Sequence, residues 1–177
     1  MKTYIALLRG INVSGQKKVP MAELRQLLTA KGLNEVQTYI QSGNVIFKSL
    51  EEDLQKLELT IHEAIKEGFG YEVPILIKTH NALQRIFEDC PFSEKIKQNS
   101  YFMLLFVSAN KDLVKEISRL SYPEEKFYIS NDCIYFHSSK GYGQSKFNNN
   151  FFERKLKVIA TARNYKTMLK LLSLSAD

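Results

Sequence analysis

The chain has 177 residues, of which 44% are hydrophobic and 25% are charged, a composition that excludes a disordered or fibrous protein. The excess of 25 Lys and Arg over 19 Asp and Glu gives a net charge of +6 at pH 7, which suits either an anionic partner or an ordinary solvated surface. This length fits one large domain or two small domains that share a core.

The cysteines and the N-terminus indicate the compartment. Cys90 and Cys133 lack the spacing of a metal site and are too few for a disulfide framework, which predicts buried thiols in a reducing environment. The N-terminus runs directly into a predicted strand, without the pattern of a signal peptide. No apolar run approaches the roughly 20 residues of a membrane span. The sequence therefore predicts a soluble cytoplasmic protein.

The first half of the chain predicts the element order βαββαβ followed by one further helix. Its strands are indicated by short apolar or alternating runs at residues 3–9, 36–41, 45–49 and 72–78. The first helix is predicted to begin at Pro20 and to end at Gly32. The second has acidic residues in its first turn at 51–53, and the third starts near Asn81 and ends before Pro91.

The second half repeats this order. Its strands are predicted at residues 101–107, 126–130, 133–137 and 157–161, with a helix at 111–120 between the first two. A further helix is predicted to begin at Asn150, in a capping box that ends at Glu153. The last helix is predicted to begin at Asn164, which corresponds to Asn81 in the first repeat.

This order predicts an α+β fold formed by tandem duplication of a ferredoxin-like βαββαβ unit, each copy followed by an extra helix. The preference for right-handed crossovers gives the strand order 4-1-3-2 in each copy, in antiparallel-rich mixed sheets. Residues 1–92 form the first predicted repeat and residues 93–177 the second, packed as one compact unit.

Two polar, glycine-containing loops, at residues 9–18 and 138–150, are the best candidates for binding, because core packing does not require them. If a twofold axis relates the repeats, both loops are expected at one basic cleft. The residues predicted to bind a ligand there are Arg9, Asn12, Lys17, Lys18, Gln41, Ser42, Asn44, Ser145, Lys146, Arg163 and Asn164. They suit a phosphate or carboxylate group. Alternatively, the amides cap helices and hold turns, while the arginines pair with surface acids.

Known cofactor motifs fail at the positions that carry their chemistry. Residues 10–15 are similar to a phosphate-binding loop, but Gln16 stands in place of its lysine and Lys17 in place of the magnesium-binding Ser or Thr. Gly141-Tyr142-Gly143 begins like a dinucleotide fingerprint, but Lys146 replaces the third glycine. The three histidines have no metal-ligand spacing. We expect no cofactor and no metal, and whether the protein is an enzyme stays open.

Six blocks of the chain carry a further signal, and they are residues 6–13, 21–25, 39–45, 145–146, 148–153 and 160–164. Together these blocks resemble the bacterial family called domain of unknown function 1697. Ser14 departs from the family pattern, in which many relatives carry a second glycine. The resemblance covers nearly the whole chain and implies a compact bacterial α+β protein of two ferredoxin-like halves, with no established activity.

Three classes of function fit these observations. The first is binding of an anionic small molecule between the repeats, with charge from Arg9, Lys17, Lys146 and Arg163. The second is a nucleic-acid-binding module, which predicts a continuous basic stripe and strong salt dependence. The third is a non-catalytic scaffold, which predicts a large exposed apolar patch. No membrane partner is expected, and the oligomeric state stays open.

Overall fold

The computed structural model of the protein describes residues 1–176. The strands are β1 (Lys2–Leu8), β2 (Asn34–Tyr39), β3 (Asn44–Ser49), β4 (Ile75–Thr79), β5 (Ser100–Leu105), β6 (Glu125–Ile129), β7 (Cys133–Ser138) and β8 (Ala160–Asn164). The helices are α1 (Met21–Ala30), α2 (Leu54–Phe69), α3 (His80–Glu88), α4 (Glu94–Lys97), α5 (Lys111–Ile117), α6 (Asn149–Leu156) and α7 (Tyr165–Ser175). Within this part of the chain, none of the helices combines the length and the apolar character needed to cross a bilayer.

The strands form two four-stranded sheets with the orders β2-β3-β1-β4 and β6-β7-β5-β8. Each is the predicted order 4-1-3-2 read from the opposite edge, and each neighbouring pair of strands is antiparallel. The duplicated ferredoxin-like α+β fold is therefore confirmed. The extra helix after each βαββαβ unit is also present, as α3 and α7.

The chain divides into two compact units whose boundaries fall within helices. The first unit contains residues 1–84 together with the described residues from Lys170 onward, and the second contains residues 85–169. In the first unit, His80 of α3 and Ser175 of α7 are joined by a hydrogen bond of 2.9 Å between Nδ1 and Oγ. The first unit is thus made from two separate stretches of the chain.

The central strand of each unit is buried on both faces. Tyr4, Ala6 and Leu8 of β1 pack in one cluster with residues of α1 and α2, while Ile5 and Leu7 on the other face are also fully buried. Each such aliphatic side chain contributes about 1.5–3 kcal/mol by leaving water. This burial explains why the strand has no polar face in the sequence.

The structure corrects the predicted start of α6. Its N-cap is Asn148, whose side chain accepts the N–H of Phe151 at 2.9 Å. Glu153 lies five residues after this N-cap, not at the third position that a capping box requires, and its Oε1 accepts the N–H of Ala160 at 2.9 Å. The predicted box at Asn150 is therefore wrong, and Glu153 links α6 to β8.

Two other boundaries also differ from the prediction. Lys157 has a left-handed backbone with φ of +54°, which ends α6, so β8 begins only at Ala160. At the start of α3, Thr79 Oγ1 accepts the N–H of Ala82 at 3.3 Å, a role that the sequence had predicted for Asn81. The corresponding role of Asn164 is confirmed, since its Oδ1 accepts the N–H of Thr167 at 2.8 Å.

Candidate functional site

A cavity of about 570 Å³ lies in the first unit, where the loop of residues 9–18 meets the start of α1 and the tip of the β2–β3 hairpin. We call it the first-unit cavity. Its lining residues are Asn12, Gly15, Lys18, Val19, Pro20, Met21, Ala22, Arg25 and Gln41. Of the residues predicted to bind a ligand, the cavity thus brings together Asn12, Lys18 and Gln41.

The side chain of Asn12 builds one wall of this cavity. Its Nδ2 donates to the carbonyl oxygens of Val19 at 3.0 Å and Gln41 at 2.8 Å, and its Oδ1 accepts the N–H of Val19 at 2.8 Å. Its backbone is left-handed, with φ of +53°, a conformation that asparagine tolerates better than most residues. Asn12 therefore holds the loop, the start of α1 and the hairpin tip together.

The hairpin tip is fixed against the end of β1. The N–H of Leu8 donates to the carbonyl oxygen of Gly43 at 2.8 Å. Gly43 has φ of +82°, and a Cβ at this position would lie 2.7 Å from Leu8 Cβ. Asn44 is fully buried, and its Nδ2 donates to Tyr39 O and Ser42 Oγ, both at 3.0 Å. Asn44 and Ser42 thus shape the turn that carries Gln41.

Two cations line the first-unit cavity. Arg25, on α1, donates from Nη1 to Thr38 Oγ1 at 2.6 Å, which fixes one side of its guanidinium group. Lys18 is exposed and lies just before α1. The helix itself begins after its N-cap Pro20, which makes no side-chain cap hydrogen bond. Among the described residues that line the cavity there is no carboxylate, so the charged side chains of its lining are both positive.

The other predicted cations of the first repeat, Lys17 and Arg9, are not among the residues that line this cavity. Lys17 donates from Nζ to the carbonyl oxygen of Glu72 at 2.7 Å. The carboxylate of Glu72 is itself contacted by Lys66 and, at 2.8 Å, by His62 Nε2. The hydrogen bond from Lys66 lowers the pKa of Glu72. The backbone N–H of Arg9 donates to Pro74 O at 3.0 Å, so Arg9 stands where β1 leaves the sheet.

In the second unit, Arg163 and Ser145 donate hydrogen bonds to neighbouring groups of the fold. Arg163 is only 6% exposed and donates from Nη1 to Thr161 Oγ1 at 2.7 Å and to Ala162 O at 2.8 Å. Ser145 is buried and donates to Gly141 O at 2.9 Å. These contacts and the capping role of Asn164 agree with the alternative interpretation of the sequence, in which such side chains hold turns and cap helices.

Lys146 lies beside a carboxylate that the sequence reasoning had not placed there. Its ammonium group stands 4.6 Å from the centre of the Tyr122 ring, within the range of a cation–π contact. The carboxylate of Glu125 accepts the N–H groups of Lys146 at 2.9 Å and Phe147 at 3.0 Å. The composite cleft lined by both repeats stays a prediction.

Arg25 lines the first-unit cavity, but the sequence prediction of binding residues did not include it. It belongs to the 21–25 block of the family resemblance, but its position on α1 was not connected with the loop. The spacing along α1 could have indicated Arg25, because residues three and four apart lie on the same face of a helix. Arg25 therefore lies on the same face as Met21 and Ala22. Those two residues line the same cavity.

The fold and the cavity define a class of α+β protein with duplicated ferredoxin-like sheets and a basic, amide-lined cavity in the first copy. The chain belongs to the family described as protein of unknown function (DUF1697), whose model matches residues 1–135. It is similar to the conserved bacterial protein SP0830 from Streptococcus pneumoniae, with 27% identity and a TM-score of 0.76. That similarity covers 98% of each chain. Among curated proteins, no match was found.

Proposed function

We propose that this protein binds a small anionic molecule, with a phosphate or carboxylate group, in the first-unit cavity. The observation that supports this proposal is the set of lining residues, which contains Lys18 and Arg25, two amide side chains and no carboxylate among the described residues. A cytoplasmic location, where phosphorylated and carboxylated metabolites are abundant, belongs to the same proposal.

The two cations offer different kinds of contact to an anion. Lys18 supplies a mobile point charge, whereas Arg25 is held by Thr38 and presents its remaining N–H groups in a fixed plane. Such a plane matches the paired oxygens of a phosphate or carboxylate. Gln41, carried on the hairpin tip, supplies an amide that can orient the rest of the ligand.

The start of α1 adds to the attraction. Its N-cap, Pro20, offers no side-chain acceptor to the N–H groups of the first turn, and the helix dipole places partial positive charge at this end. Glu23, the acidic residue of this turn, is exposed and does not line the cavity. Pro20 and Met21 form an apolar surface beside the cations, which suits a ligand with an apolar part next to its charge.

Binding is tested by a thermal-shift screen of phosphorylated and carboxylated metabolites, followed by titration calorimetry, because a ligand of the folded state raises the melting temperature. Lys18→Glu should weaken binding of the best compound by about tenfold or more, since the charge near the anion is reversed. Arg25→Gln should act in the same direction.

Lys155→Glu is the matched control, because Lys155 is an exposed helix residue and is not among the residues predicted to bind. It makes the same change in net charge and should leave the affinity unchanged. The proposal is wrong if no anionic compound shifts the melting temperature, or if Lys18→Glu and Lys155→Glu weaken binding equally.

A further inference from the structure

The strand β6 lies at an edge of the second sheet, with β7 on one side only. Ser130 N–H donates to Cys133 O, which makes these two residues a hydrogen-bonded pair of the β6–β7 hairpin. Since hydrogen-bonded and non-bonded pairs alternate along an antiparallel ladder, Tyr128 directs its backbone groups to β7. Phe127 and Ile129 therefore direct their N–H and C=O groups away from the sheet.

Side chains of the protein itself occupy backbone groups at two other sheet edges. On β4, the N–H of Ile77 donates to Glu58 Oε1 at 3.0 Å. On β8, the N–H of Ala160 donates to Glu153 Oε1 at 2.9 Å, and its carbonyl oxygen accepts from Asn149 Nδ2 at 2.9 Å. Proteins commonly block their edges in such ways, because unpaired strands attract other chains.

The edge of β6 is not blocked in this way. The N–H of Glu125 donates to Tyr122 O at 3.3 Å, which closes the beginning of the edge. For the outward backbone groups of Phe127 and Ile129, no partner is found within residues 1–176. Space for another chain lies alongside, and we call it the β6 groove.

The β6 groove consists of two cavities that meet along the strand. One, of about 600 Å³, is lined by Phe92, Ser118, Leu120, Ser121 and all of β6. The other, of about 420 Å³, is lined by Ala109, Lys111, Val114, Lys115 and residues 128–131. Tyr128 and Ile129 belong to both, so the groove is continuous along the strand. Tyr128 is 52% exposed and offers an aromatic surface.

The charges around the β6 groove are mainly positive. Lys111, Lys115 and Lys126 line it and are exposed. Glu125 is the one carboxylate among the described residues that line it, and this carboxylate accepts the N–H groups of Lys146 and Phe147. The groove therefore complements a negatively charged segment.

We infer that the β6 groove binds an extended acidic peptide segment of a partner protein, which adds to the second sheet as a fifth strand. Main-chain hydrogen bonds to Phe127 and Ile129 would supply affinity, and the lysines would select acidic side chains. A second copy of this chain is a poorer occupant. Antiparallel pairing of β6 with itself about Phe127 would bring the two Lys126 side chains into diagonal positions, where like charges repel.

The test uses fluorescein-labelled short peptides and fluorescence anisotropy with the full chain. One peptide alternates Glu with Val, a second alternates Lys with Val, and a third is the Glu peptide with alternate backbone nitrogens methylated. The Glu peptide should bind about tenfold or more tightly than the Lys peptide. Methylation should abolish binding, because it removes the donors that a fifth strand requires.

Two variants and a control locate the site. Lys126→Glu and Lys115→Glu should each weaken binding of the Glu peptide several-fold, whereas Lys155→Glu should leave this binding unchanged. Binding should also slow hydrogen exchange of the Phe127 and Ile129 amides, measured by NMR, and circular dichroism should show that each variant stays folded. Equal binding of all three peptides, unchanged exchange at these amides, or self-association through β6 in sedimentation experiments would overturn the inference.

Discussion

Replacing Gly43 by alanine tests whether the hairpin tip is seated on β1 as closely as the structure indicates. The new Cβ would lie 2.7 Å from Leu8 Cβ and 3.1 Å from both Leu8 O and Ile11 Cγ1. The atoms of Leu8 belong to the backbone or to the first carbon of a buried side chain, so they cannot turn away. A substitution here must shift the hairpin tip or the end of β1.

The cost of this substitution has two parts. The left-handed backbone, with φ of +82°, costs an alanine about 1–2 kcal/mol. The overpacking adds about 1–3 kcal/mol, so the expected total is about 2–5 kcal/mol. Gly10→Ala is the matched control, because Gly10 has φ of +76° in the adjacent loop, but a Cβ added there would have nothing within 4 Å. Gly10→Ala should therefore lose only the free energy that the left-handed backbone costs an alanine.

Urea unfolding, followed by circular dichroism, measures the difference between these two variants. A difference of about 2 kcal/mol, divided by a slope of about 2 kcal/mol per molar urea, places the Gly43→Ala midpoint about 1 M below that of Gly10→Ala. If both variants unfold at the same urea concentration, the close approach of Gly43 to Leu8 does not limit stability, and the description of this cavity wall is wrong.

Two further predictions concern helix ends and pH. Asn164→Ala should cost about 1 kcal/mol of unfolding free energy, since it removes the cap of α7, whereas Asn81→Ala should change little because Thr79 caps α3; equal losses in urea unfolding would contradict this assignment. Glu51 accepts the N–H groups of Asp53 and Glu52, and the bond from Asp53 is the main cause that lowers its pKa below the ordinary 4.5. The stability that ionised Glu51 contributes should therefore be present above pH 4.5 and be lost as the pH falls through the pKa of Glu51 in the folded state. The urea unfolding curves of wild type and Glu51→Gln should therefore converge in acid.

Most of the fold was predictable because its strongest signals are local. β1 and β5 are apolar on both faces, which identified them as central strands, and the order of elements then fixed both sheets. The start of β8 was missed because nothing in the composition of residues 157–159 indicates that Lys157 takes a left-handed backbone. That conformation depends on how the end of α6 packs in the folded second unit, and a local sequence pattern does not contain this information.

The candidate site was predictable only in part. Topology placed the loop of residues 9–18 beside the hairpin tip, and Asn12, Lys18 and Gln41 do line one cavity. The sequence did not distinguish side chains that face the cavity from those that build its wall, such as Asn44 with its bonds inside the turn. That distinction depends on hydrogen-bond directions, which become defined only when the chain is folded.

The discontinuous first unit has a consequence for synthesis on the ribosome. Its opening 84 residues emerge early, yet the segment from Lys170 onward, which carries the Ser175 partner of His80, is translated only after residues 85–169. The first unit therefore cannot be completed until the whole intervening unit has been translated. A nascent chain halted before Lys170 would expose part of the surface of the incomplete first unit, where chaperones and proteases can recognise it.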